Sequence, residues 1–177
     1  YWMIVSSLRP ERDLFAPPTL IPQNIVWKFS AYRNLLELTD YPVQFANSVQ
    51  VALAVVAITL VVSVTIAYVV TRYRIPGKTM IIGSMLYAYM FPPLLLAIPL
   101  LSLFARMGLA DHLVAVVFAH CTLSIPLGVW MLWGFFKAMP FDLEEAAMVD
   151  GCSRAGAFFR MVLPLSAPGI ITVAKFS

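Results

Sequence analysis

YPVQFANSVQVALAVVAITLVVSVTIAYVVT, residues 41–71, runs for 31 residues without a charge between Asp40 and Arg72. A helix crossing a bilayer needs about 20 predominantly apolar residues, so this stretch alone puts the chain in a membrane. Its middle, 51–70, is rich in Val, Ile, Ala and Leu, which in water would favour a strand. In lipid an isolated strand leaves its backbone N–H and C=O groups unpaired, whereas a helix pairs them internally. The stretch is therefore predicted to be a helix.

Two similar runs follow. Between Lys78 and Arg106 lie 27 uncharged residues (79–105), and between Asp111 and Lys137 lie 25 (112–136). Neither alternates in polarity, and both far exceed the roughly 10 residues of a barrel strand. The expected fold class is an all-α polytopic membrane protein with spans at about 45–71, 79–105 and 112–136. Partial apolar runs flank them at 1–8 and after Arg160. Residues 1–8 are too short for a signal peptide and lack a basic leader. With Tyr1 in place of a start methionine and Ser177 inside an apolar run, the sequence reads as a fragment.

Composition agrees. Of the 177 residues, 61% are hydrophobic and 12% charged, about half the charge of a soluble domain. Mean hydropathy is +0.85, which excludes both a soluble domain and intrinsic disorder. The net charge of +3 does not imply nucleic acid, because basic cytoplasmic loops give the same excess. Cys121 and Cys152 are too few for a disulfide framework, and no metal site is expected.

Charge placement sets the orientation. The short loop 72–78 carries Arg72, Arg74 and Lys78 and no acid, so it should be cytoplasmic. The loop 106–111, with Arg106 and Asp111, then faces outside. Segment 137–160 returns to the cytoplasm, and the stretch 9–44, with Pro17, Pro18 and Pro22, forms an ordered extracytoplasmic loop. Pro92, Pro93 and Pro99 interrupt the second run and Pro126 the third. Each removes a helix hydrogen bond, leaving two readings open: a simple kink, or a break lining a cavity.

Segment 137–164 is a loop, yet it is patterned. Asp142 and Glu145 are spaced as a capping box; Leu143, Ala146 and Ala147 are expected on one helical face; Gly151 suits the left-handed position that ends a helix; Ser153 can cap a second helix; and Pro164 marks re-entry into the membrane. A small helix–turn–helix is predicted between two spans, either a docking surface or a plain folded loop.

Glu145-Ala146-Ala147, three residues, Gly151, nine residues, Met161, one residue, then Leu163-Pro164 resembles the EAA signature of the permeases of binding-protein-dependent ABC importers. All spacings agree; Met161 replaces the usual isoleucine, a mild apolar swap. Asn47-Ser48, Tyr73-Arg74-Ile75-Pro76-Gly77-Lys78, Met90-Phe91-Pro92-Pro93, Gly108-Leu109-Ala110-Asp111 and Met139-Pro140-Phe141-Asp142-Leu143-Glu144-Glu145 are further similar to the MalG-like carbohydrate permeases.

The resemblance implies the type I importer permease fold. The fragment would hold the end of span 1 (1–8), spans 2–4, a cytoplasmic coupling loop at 137–164 and the start of span 5 (165–177), in a bacterial or archaeal cytoplasmic membrane. It implies that Asp142, Glu144, Glu145, Ala146, Ala147, Asp150, Gly151, Leu163 and Pro164 serve ATPase coupling, with Glu145 pairing with a basic group of a cytoplasmic ATPase. It also implies a second permease subunit and an extracytoplasmic solute-binding protein. The chain has no Gly-rich loop followed by Lys and Ser or Thr, so it is expected to bind no cofactor and catalyse nothing; ATP and Mg²⁺ belong to the partner. Tyr87, Tyr89, Met90, Phe91, Ser124 and Trp130 are candidates for a substrate path, since aromatic and hydroxyl groups suit sugars; helix packing is the competing reading. Amino acids, phosphate or peptides are alternative cargoes, and a membrane enzyme is an alternative class.

Overall fold

The computed structural model describes residues 2–7 and 29–177. Within the expected end of span 1 (1–8) lies a short helix, α1 (Trp2–Ser7), whereas most of the expected proline-containing loop, residues 8–28 with Pro17, Pro18 and Pro22, lies outside the described residues. Among the described residues every regular element is helical.

The chain divides into two units, Tyr1–Ser48 and Val49–Ser177. In the first, α1 is followed by α2 (Ser30–Leu38), and the Ser7 and Tyr32 hydroxyls lie 2.6 Å apart. An exposed Arg33–Glu37 pair at i,i+4 (2.9 Å) supports α2. The stretch 30–40, expected to be loop, is therefore partly helical.

The second unit is built on α3 (Tyr41–Arg72), which begins in the first. At 1.5 Å per residue its 32 residues span about 48 Å, longer than a bilayer's hydrocarbon core. Next come α4 (Lys78–Met90), α5 (Pro93–Arg106) and α6 (Leu113–Ala138). Segment 137–164 and its continuation form α7 (Asp142–Val149) and α8 (Arg154–Ala157), a π-helical turn (Phe158–Val162), and α9 (Leu163–Leu165), before α10 (Ala167–Phe176). A core of Ala67, Val129, Leu132, Phe136, Val162 and Val173 joins α3, α6, the π turn and α10.

Small residues permit this packing, as they do between membrane helices generally. A Cβ on Gly128 would lie 2.6 Å from Ser63 Oγ and 3.0 Å from Val173 Cγ1; one on Gly169 would lie 2.9 Å from ring carbons of Phe135.

The second expected span is not one helix. α4 and α5 meet at 95°, far beyond a proline kink. α4 has 13 residues, about 20 Å, and falls short of the roughly 30 Å hydrocarbon core. The cause is two successive X-Pro bonds, each disfavouring the α region in the residue before proline. Phe91 (φ −70°, ψ 131°) and Pro92 (φ −59°, ψ 121°) are both extended. Pro99 and Pro126, by contrast, sit inside continuous helices, so a break at Pro126 does not occur. Next to it, the Ser63 hydroxyl of α3 donates to the Ile125 carbonyl at 3.3 Å.

Re-entry is also bent. The segment Arg154–Leu165 meets Ala167–Phe176 at 69°, and the fully buried Ser166 donates to the carbonyls of Val162 and Leu163 at 2.8 and 2.9 Å. The backbone groups loosened between Pro164 and Pro168 are thus partly re-satisfied within the protein, as a break inside lipid requires.

Candidate functional site

The patterned segment 137–164 forms the helix–turn–helix that its residues suggest, with two differences. α7 carries Asp142, Glu144 and Glu145 in its first turn, where the partial positive charge of the helix N-terminus favours carboxylates. The expected capping box does not form. Phe141 is the N-cap, already helical at φ −65° and ψ −30°, and no side chain caps the helix. Asp142 therefore lies inside the first turn, too late to cap it. The second difference is the alanine face. Ala147 is buried, but Ala146, 100° further round the helix, is exposed.

The end of α7 follows the sequence closely. Gly151 has φ 89°, its N–H donates to the Met148 carbonyl at 3.1 Å, and the Cys152 N–H donates to the Ala147 carbonyl at 3.0 Å. This is a complete Schellman motif. Ser153 then caps α8, its Oγ accepting from the Gly156 N–H at 3.1 Å.

The faces of α7 have different partners. Leu143, Glu144, Ala147 and Met148 point inward, while Asp142, Glu145, Ala146 and Val149 are exposed at i, i+3, i+4 and i+7. Val149 is 86% exposed, and exposed Asp150 continues this side. An apolar residue presented so openly among carboxylates leaves an unpartnered face. Leu163 is half-buried against the core, and Pro164 is exposed at the re-entry; neither belongs to that outward face.

Glu144 is tied into the protein. Its carboxylate accepts from Arg72 Nε through Oε1 and from the Tyr68 hydroxyl through Oε2 at 2.9 Å. The side chains of Arg72 and Glu144 are 2% and 8% exposed. Arg72 also donates from Nη1 to the Phe136 and Met139 carbonyls at 3.3 and 3.4 Å and from Nη2 to Met139 at 3.4 Å, capping the end of α6. Its guanidinium carbon lies 4.2 Å from the Phe141 ring centroid, a stacking that lysine would not reproduce. Nearby, the Arg154 guanidinium carbon lies 5.4 Å from the Tyr73 ring centroid. These contacts put the basic turn 72–78 at the same end of the bundle as segment 137–160, in agreement with the charge-based orientation.

Arg72 and Tyr68 carry this arrangement, and sequence reasoning did not single them out as site residues. Nothing local marks a pairing across 72 residues. The one available sign was that Arg72 closes an otherwise uncharged helix, where a cation must find a partner or water.

The break between α4 and α5 forms a second feature. Tyr89, Met90 and Phe91 line a cleft of about 450 Å³ with Pro92, Pro93, His120 and Ser124. Four of the six proposed substrate-path residues are thus brought together. Tyr87 and Trp130 are exposed and are not part of this lining. His120 also lines the cleft, its Nδ1 bonded to the Val116 carbonyl at 2.9 Å.

A family described as the binding-protein-dependent transport system inner membrane component matches residues 76–177, more than half of the chain and the whole of the helix–turn–helix. The chain belongs to this family. As such an inner membrane component it is a multi-pass protein of the cytoplasmic membrane, consistent with two helices that are each long and apolar enough to cross and two bent pairs that could each serve as one span.

Relatives extend the similarity to nearly all of the chain. It is 33% identical to the trehalose transport system permease protein SugB of Mycobacterium tuberculosis, over 98% of this chain and 62% of that protein. It is 34% identical to the sulfoquinovosyl glycerol transport system permease protein SmoH of Agrobacterium fabrum, over 97% and 60%, and 32% identical to the trehalose/maltose transport system permease protein MalG of Thermococcus litoralis, over 98% and 62%. A solved bacterial ABC transporter involved in the import of the acidic polysaccharide alginate shares the fold, with a TM-score of 0.80 and 21% identity over 99% of this chain and 61% of that one. The chain spans about 60% of the length of these relatives.

Proposed function

We propose that the protein is a permease subunit of an ATP-driven carbohydrate importer. It forms a translocation path with a second permease, receives solute from an extracytoplasmic binding protein, and couples to a cytoplasmic ATPase through α7. The observation that carries this reading is the outward face of α7. Asp142, Glu145, Ala146 and Val149 are exposed together, flanked by Asp150 and Gly151, while the inward face is fixed to α3 and α6. Three carboxylates around one apolar residue suit a partner cleft that is basic at its rim and apolar within. Glu145 is the residue that pairs with the partner's basic group, Ala146 permits close approach, and the Gly151 turn, with Leu163 and Pro164 at the re-entry, sets the helix's direction. ATP and Mg²⁺ are held by the ATPase, and this chain holds no cofactor.

Carbohydrate is favoured by the relatives, whose names specify trehalose, maltose and sulfoquinovosyl glycerol transport. The cleft of Tyr89, Met90, Phe91 and Ser124 offers aromatic faces and hydroxyls suited to a sugar.

The test uses the full-length protein with its second permease, ATPase and binding protein in proteoliposomes, supplied with labelled trehalose, maltose or phosphate. ATP-dependent uptake of a sugar is expected. Glu145→Gln should reduce the ATPase that copurifies at least tenfold, since truncating one partner of a desolvated charge pair costs about 2–5 kcal/mol. Uptake of phosphate alone would replace the carbohydrate reading, and unchanged ATPase retention in Glu145→Gln would refute the docking face.

A further inference from the structure

The two consecutive glutamates of α7 face opposite ways, and that division has a mechanical consequence. Glu145 is exposed, while Glu144 is buried on Arg72 and Tyr68. Arg72 is the meeting point of three elements. It belongs to the last turn of α3, it caps α6 through the Phe136 and Met139 carbonyls, and it grips the first turn of α7 through Glu144 and the Phe141 ring. The covalent route from α6 to α7 is only Met139, Pro140 and Phe141, outside both helices. α7 otherwise packs on α8 and the π turn, which follow it in the chain, so the Arg72 contacts are what tie its first turn directly to α3 and α6.

We infer that Arg72, Glu144 and Tyr68 form an internal latch that makes α7 move as one body with α3 and α6, so that a pull on α7 reaches the membrane spans. Glu144 is then a positioning residue and Glu145 the docking residue. The inference rests on the coupling role proposed for α7, but the latch itself can be tested in the permease without any partner.

Two exposed sites, Thr65 on α3 and Val149 on α7, are changed to cysteine and spin-labelled in a background where Cys121 and Cys152 are serine. Distances are read by double electron–electron resonance in the full-length permease alone, since Val149 lies on the docking face; ATPase copurification is measured on the unlabelled proteins. With the latch intact, one narrow distance is expected. In Glu144→Gln the ATPase should still copurify within twofold of the unlabelled parent, while the distribution at least doubles in width. Arg72→Lys, which keeps the charge but loses the carbonyl bonds and the Phe141 stacking, should give an intermediate width and serves if Glu144→Gln fails to fold.

A Glu144→Gln distribution as narrow as the parent's would overturn the latch, as would loss of the ATPase to the extent seen in Glu145→Gln. If no ATPase copurifies with the parent, the coupling role fails, and the widths measured in the permease alone still decide the latch.

Discussion

Replacing Arg72 by alanine should be among the most damaging single changes in this chain. Arg72 and Glu144 are 2% and 8% exposed. Arg72→Ala leaves the Glu144 carboxylate buried with the Tyr68 hydroxyl as its remaining partner. Removing one member of a buried pair costs about 3–5 kcal/mol, because the charge left behind has lost both water and its counter-ion. For a chain of this size each kcal/mol lowers Tm by about 2–4 °C, so a drop of about 6–20 °C is expected. The triple variant Arg72→Met with Glu144→Leu and Tyr68→Phe leaves no buried charge and no Tyr68 hydroxyl stripped of its partner. Its cost is confined mainly to the lost bonds at the Phe136 and Met139 carbonyls, at about 1 kcal/mol each. Its Tm should fall by no more than half as much as that of Arg72→Ala. Thermal unfolding of the detergent-purified protein, followed by size-exclusion fluorescence, measures both. A drop under about 2 °C in the single variant would show that the pair is hydrated or loosely held. A triple variant as unstable as the single would show that volume, not charge, decides the site.

Other changes test neighbouring parts of the argument. Gly151→Ala places a Cβ at φ 89° and should cost about 1–2 kcal/mol, read as a lower Tm, while Gly134→Ala, where a Cβ meets nothing within 4 Å, should not lower Tm. Gly128→Leu forces a side chain into Ser63 and Val173, where a Cβ would already lie 2.6 and 3.0 Å from their atoms. Overpacking of that kind costs about 1–3 kcal/mol or more, and a normal yield and Tm would show that α3, α6 and α10 are not this close. Pro92→Ala with Pro93→Ala removes the steric reason for the bend between α4 and α5. The helix should extend through 91–93, seen as a changed spin-label distance across the break, and solute uptake should fall; an unchanged distance would assign the bend to tertiary packing instead.

The charge-free runs 41–71 and 112–136 were legible as spans because lipid leaves the backbone one local solution, and a long apolar segment shows that solution in its own residues. The ends of the loop helices were legible where the cause is local. Gly151 and Ser153 each bond a backbone group three residues away, so their spacing could be read directly. The start of α7 was not. Whether Asp142 sits before or inside the first turn depends on one residue of phase, and the chain path through Met139, Pro140 and Phe141 sets it. The same phase decides that Ala146 faces out while Ala147 and Glu144 face in. A sequence pattern that treats Glu144 and Glu145 alike cannot separate them.

Residue chemistry alone determined that this chain crosses a membrane as helices, that loop 72–78 and segment 137–160 are expected on one side, and that segment 137–164 is a folded signature rather than a linker. These follow from desolvation cost, the placement of Arg72, Arg74 and Lys78, and spacing along the chain. The tertiary structure decided which side chains meet across distance: that Arg72 and Tyr68 claim Glu144, that Gly128 and Gly169 admit close neighbours, and that Phe91 and Pro92 open a cleft toward Ser124 and His120. Such pairings depend on how whole helices pack, and a burial energy shared among many residues leaves no mark on any one position.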